Sequence, residues 1–229
     1  MRTLLSSLVC LFAIASVGRI HASDGKPSVA ADDDLASLGM KASVTIIFDT
    51  SGSMNERRKL IMAKQAFNWW LETAPKKSIV QWSLWAFDGP RGDGINFVDR
   101  KANAAEEVQA KISQFVANGG TPLAKTITKV TAIIDAENRR AEQGKADILR
   151  QIVLIFTDGQ DSFVKVPDMQ KAVTRLRNAG AEVFSIGYQG EGEYLSKVSD
   201  KFFMVDDEKQ LKSGLSEFTY FIEKAGTQK

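Results

Sequence analysis

Short runs of β-branched and aromatic residues alternate along this chain with longer segments of helical periodicity, and that alternation limits its fold to very few classes. Residues 42–48 (ASVTIIF) form a β-branched run bounded by turn chemistry and read as a buried strand. Residues 57–73 follow, with Leu60, Ala63, Phe67, Trp70 and Leu71 at the spacing of one helix face. Residues 78–87 read as a second strand, 88–94 as a Gly- and Pro-rich loop, and 95–98 as a short edge strand. Helices are predicted over 104–116 and 123–143, then the most continuous strand of the chain over 152–156. A helix over 168–178 stops at Ala179-Gly180. Strands over 182–187 and 202–205 and a closing helix over 210–224 complete the pattern. The expected fold class is α/β: a three-layer α/β/α sandwich, its central sheet mostly parallel with one short antiparallel edge strand. Ligands of such folds gather at the carboxyl ends of central strands, where the strand order reverses.

The first 22 residues read as a signal peptide rather than part of that fold. Arg2 begins a positive n-region, Leu4 to Val17 are mostly apolar, and Ile20-His21-Ala22 offers a small residue before a cut. A retained N-terminal anchor is the alternative, because Arg19 and His21 are unusual next to a cleavage site. Residues 23–40 read as a polar, acidic leader and 41–226 as one domain. No later run approaches the roughly 20 apolar residues of a spanning helix. Cys10 and His21, the only cysteine and histidine, both fall inside the signal segment. The mature chain therefore has no thiol and no imidazole, which excludes thiolate zinc sites and Cys-His or Ser-His-Asp catalysis. Any metal must be held by oxygen. The formal charge of +2 resides in Arg2 and Arg19, so the mature chain is formally neutral, and no basic stripe points to nucleic acid. Cysteine-free export fits a bacterial envelope, placing the protein in the periplasm or outside the cell.

Three loops carry the chemistry. Asp49-Thr50-Ser51-Gly52-Ser53 follows the first strand, Gly119-Gly120-Thr121-Pro122-Leu123 precedes a helix, and Thr157-Asp158-Gly159 follows the 152–156 strand. Together they offer carboxylates at Asp49 and Asp158 and hydroxyls at Ser51, Ser53 and Thr121, an inventory of hard donors suited to a small divalent cation. Ser51 and Ser53 stand two apart in a turn opened by Gly52, so both hydroxyls can face one ion. Taken singly, each piece has an ordinary reading: a capped turn, a strand ending, or a helix start with Thr121 as N-cap and Pro122 at its first position.

Their conjunction, in this order and on these elements, resembles the metal-ion-dependent adhesion site of von Willebrand factor type A domains, and the resemblance covers roughly residues 41–224. It implies that Ser51 and Ser53 bind the ion directly, Thr121 directly or through water, and Asp49 and Asp158 largely through water. It implies a partner's Asp or Glu completing the metal shell, hence a protein-binding module and not an enzyme. Magnesium is the expected ion, with Mn²⁺ as a tighter surrogate; Ca²⁺ is possible but prefers more carboxylate and carbonyl ligands. The family also suggests a switch in which the closing helix moves. With that helix as the last element, this module is expected to be constitutively competent.

Two other readings compete. A haloacid dehalogenase-like phosphotransferase would use Asp49, Thr121, Lys125 and Asp158, but needs a general acid where Ser51 stands. The tripeptide Arg91-Gly92-Asp93 resembles an integrin ligand, yet Gly-rich loops generate such strings by chance. Trp69, Trp70, Trp82, Trp85 and Phe87 are expected mostly in the core.

Overall fold

The computed structural model describes residues 41–73, 79–88, 91–102, 104–145, 149–188 and 193–224. The expected signal segment and leader lie outside these, as do residues 225 and 226 of the expected domain.

Among the described residues, six strands form one sheet: β1 (Lys41–Phe48), β2 (Ile79–Asp88), β3 (Asp93–Ala102), β4 (Arg150–Thr157), β5 (Ala181–Tyr188) and β6 (Lys201–Val205). Their spatial order is β3-β2-β1-β4-β5-β6. All pairs are parallel except β2 with β3. The α-helices among the described residues that cover the sheet are α1 (Lys59–Thr73), α2 (Ala105–Gln114), α3 (Leu123–Glu142), α4 (Val166–Asn178) and α5 (Glu208–Lys224). Alternation along β1 and β4 divides the core in two. Val44, Ile46, Phe48, Ile152, Leu154 and Phe156 face α1, α2 and α5, while Ile47, Val153 and Ile155 face α3 and α4. A run of rings binds the first layer: Phe48–Phe67, Phe48–Phe156 and Phe184–Phe218 have centroids 5.0, 5.2 and 5.0 Å apart. Such pairs each add about 0.5–1.5 kcal/mol beyond their buried area. Trp70, Trp82, Trp85 and Phe87 are buried, and only Trp69 of the aromatic group is partly exposed.

Two elements depart from the sequence reading. β3 is ten residues long where a short strand over 95–98 is predicted. Its polar second half is held because Arg100 reaches inward to Glu137 of α3, to Gln151 of β4 at 2.8 Å and to Thr45 of β1. The helix expected from Arg57 begins instead at Lys59, after a 3-10 segment over Gly52–Arg58. Arg57 and Arg58 both take positive φ, 47° and 61°, which interrupts the helical path at that joint.

The strand order reverses between β1 and β4, which pair side by side up to Phe48 and Phe156. The two segments that leave these strands therefore start next to each other, and Asp49 N donates to Phe156 O at 3.0 Å.

Candidate metal centre

Asp49 and Asp158 sit just past the carboxyl ends of these two central strands and are both buried. Asp49 Oδ1 accepts the Ser51 backbone N–H at 2.7 Å, and its Oδ2 accepts the Thr157 hydroxyl at 2.6 Å. Ser51 Oγ and Ser53 Oγ lie 3.0 Å apart, and Ser53 Oγ donates to Asp158 Oδ1 at 2.9 Å. Four of the five predicted residues thus form one continuous polar cluster from segments over 100 residues apart in sequence.

The loop that carries Thr121 is joined to the cluster by its backbone. Gly52 N donates to Gly119 O at 2.8 Å and Asn118 N to Thr50 O at 2.8 Å, joining the Thr121 loop to the Asp49 loop. Gly119 takes φ 69°, and a Cβ on Gly52 would stand 3.2 Å from Gly119 O, so both glycines serve this close approach. On the other side, Thr121 N donates to Ser162 Oγ at 2.9 Å and Ser162 N to Thr121 O at 3.0 Å. Thr121 is buried but does not cap α3, contrary to its ordinary reading; Pro122 holds that position with no side-chain cap of its own. Asp161 fulfils the role from the next loop. Its Oδ2 accepts Ala124 N at 2.6 Å, while Oδ1 accepts Phe163 N and Val164 N at 2.7 and 2.9 Å.

Burial, then the neighbouring Asp158 carboxylate, raise the pKa of Asp49 to about 6; the hydrogen bonds from Ser51 and Thr157 oppose the rise. Two carboxylates pressed together in a buried site are a standing demand for positive charge. Part of that demand is met by Lys59, a buried residue whose Nζ lies 2.6 Å from Asp158 Oδ2. Among the described residues, no group of three or more His, Cys, Asp or Glu could hold a metal. A cation here would rest on hydroxyl oxygens with carboxylates behind them, a donor set that fits a hard divalent ion. The hydroxyls available to it are those of Ser51 and Ser53, with Thr121 on the adjoining loop, and the negative charge is that of Asp49 and Asp158.

Sequence reasoning assigned no role to Thr157 within its loop and missed Lys59, Asp161, Ser162 and Tyr194, whose Oη donates to Gly159 O at 3.0 Å beside Asp158. Lys59 had a signal. It stands four and eight residues before Ala63 and Phe67, at the end of a buried helix stripe where a lysine requires an anion. Lys125, the residue the phosphotransferase reading needs, is largely exposed and lies 3.5 Å from Asp93. Asp93, the acid of the Arg-Gly-Asp string, is taken by Lys129 at 2.7 Å.

The von Willebrand factor type A domain model matches residues 43–217. No curated protein sequence matches the chain. Among solved structures, a von Willebrand factor type A protein from Catenulispora acidiphila is similar with a TM-score of 0.64 and 18% identity, over 79% of this chain and 42% of its own. Proximal thread matrix protein 1 from the mussel byssus, described with a zinc-occupied MIDAS motif, gives 0.60 and 17%, over 79% and 47%. This chain therefore spans less than half the length of either. The vWF domain of the type V pili tip protein Mfa5 from Porphyromonas gingivalis gives 0.65 and 10%, over 83% and 97%. With a family model covering most of its length, the chain belongs to the von Willebrand factor type A domain family.

Proposed function

We propose that this chain is an exported, metal-dependent protein-binding module with a complete metal-ion-dependent adhesion site. Ser51 and Ser53 hold a divalent cation directly, Thr121 directly or through water, and Asp49 and Asp158 mainly through water. Mg²⁺ is the first choice, with Mn²⁺ or Ca²⁺ as alternatives. A partner protein's Asp or Glu completes the coordination, and the module binds without turnover. The supporting observation is the convergence of the Ser51 and Ser53 hydroxyls with Asp158, 3.0 and 2.9 Å apart, although 105 residues separate Ser53 from Asp158.

A protein partner is favoured over a small ligand by what surrounds the cluster. Of the five large hydrophobic residues exposed among those described, Val116, Phe163 and Val164 belong to the loops that carry Thr121 and Asp158. Export is supported by the signal-like segment 1–22, with residues 23–40 as leader and 41–226 as the binding domain. The similar proteins include a pilus tip domain and a byssal thread protein, both extracellular settings that accord with a periplasmic or extracellular site of action. No helix among the described residues is long and apolar enough to cross a membrane.

Calorimetric titration of Mg²⁺ and Mn²⁺ into chelator-stripped protein tests this reading. One site is expected, abolished by Ser53→Ala and strongly weakened by Thr121→Val. Binding that survives both substitutions would place the ion away from these loops. Asp158→Ala is the poorer probe, because it also strands the buried Lys59 ammonium without its counter-ion.

A further inference from the structure

Lys59 is the first residue of α1 and is only 7% exposed. Its ammonium lies against Asp158 Oδ2, while the other oxygen of the same carboxylate takes the Ser53 hydroxyl. Among the described residues, Glu56 also pairs with Nζ, its carboxylate 4.0 Å away on a largely exposed side chain. Lys59 is delivered to this position by the two consecutive positive-φ residues Arg57 and Arg58. Side chains of L residues resist that conformation, which persists only where the surroundings impose it. The chain thus accepts backbone strain at the joint that sets a lysine inside the cluster.

We propose that Lys59 is a built-in counter-cation that couples metal retention to partner binding, an inference that rests on the metal-centre reading above. The buried charges of the cluster are Asp49, Asp158 and Lys59. With both acids ionised they sum to one negative charge, so a divalent ion leaves the centre at +1. A partner's carboxylate then brings it to neutrality. Without Lys59 the loaded centre would already be neutral, and an incoming carboxylate would make it an anion in a low-dielectric site. Lys59 therefore weakens the hold on the ion alone and strengthens the hold of the ion-loaded centre on the incoming carboxylate. The two ligands are linked by reciprocal coupling.

The test is Mn²⁺ calorimetry on chelator-stripped protein, unaltered and with Lys59→Met, in sodium chloride and in sodium acetate of equal ionic strength. Acetate stands for the partner's carboxylate. The unaltered protein is expected to bind Mn²⁺ several-fold more tightly in acetate than in chloride. Lys59→Met is expected to bind Mn²⁺ in chloride about tenfold more tightly than the unaltered protein, the effect of removing one nearby like charge, and to lose most of the acetate gain. Equal or weaker Mn²⁺ binding by a folded Lys59→Met protein would overturn the proposal. So would an unaltered protein whose Mn²⁺ affinity ignores acetate, and that arm decides the matter if the variant fails to fold. Absence of Mn²⁺ binding in every arm would instead bring down the metal-centre reading itself.

Discussion

The Thr157 hydroxyl donates to Asp49 Oδ2 at 2.6 Å, joining the ends of the two central strands across 108 residues of sequence. Asp49 is fully buried, so this bond and the Ser51 N–H are what offset its loss of water. Thr157→Val keeps the shape and removes the donor. Metal-free protein should lose about 1–3 kcal/mol of stability, the cost of leaving a buried acceptor short of a partner. Urea denaturation followed by circular dichroism measures this, and an unchanged midpoint would show that Thr157 does not support Asp49.

Asp49 also sets a pH dependence. Its pKa is raised to about 6 in the folded metal-free protein, against an ordinary value of 3.8. Between those values the folded state binds more protons than the unfolded one, so stability falls as pH rises. The loss from this group is complete about one pH unit past that folded pKa and reaches on the order of 3 kcal/mol. Asp49→Asn should flatten the slope between pH 4 and 6 in denaturation curves of metal-free protein. A slope of the same size in that variant would assign the effect to another group.

Asp161 accepts three backbone N–H groups, one from the first turn of α3 and two from its own loop. Asp161→Ala should cost about 1–2 kcal/mol, as expected for loss of a helix-capping carboxylate. Because the adjacent Ser162 holds Thr121 through both its backbone groups, Mn²⁺ affinity should fall several-fold as well. Stability lost with no change in Mn²⁺ affinity would mean that the Thr121 loop is fixed without Asp161.

Phe163 is 57% exposed, and its ring lies over Gly92 and Gly120 at the edge of the cluster. If it contacts the partner, Phe163→Ala should leave Mn²⁺ affinity unchanged. Peptides selected from a displayed library on Mn²⁺-loaded protein should carry an acid beside an apolar residue. They should bind this variant about tenfold more weakly, equivalent to about 1.4 kcal/mol. Equal binding would place the contact elsewhere on the rim.

Much of this was legible in the sequence because it is encoded locally. Strand and helix periods give the layers, and three loops bearing Asp49, Thr121 and Asp158 follow or precede elements whose positions the alternation already implies. What escaped depends on contacts distant in sequence. The second half of β3 has no strand-like alternation, since Asp99, Arg100 and Lys101 are polar and Arg100 is secured by α3 and β4. The Arg57-Arg58 joint carries no residue type that announces positive φ. Asp161 resembles any loop acid until α3 is seen to start above it.

On the proposed reading, these three loops hold a divalent ion through hydroxyl oxygens. The most direct test is diffraction from Mn²⁺-soaked crystals at the manganese absorption edge. An anomalous peak is predicted roughly 2.0–2.3 Å from the hydroxyls of Ser51 and Ser53, on the side facing Thr121, with Asp49 and Asp158 in the outer shell. A well-diffracting crystal with no peak there, or with manganese bound elsewhere, would contradict it.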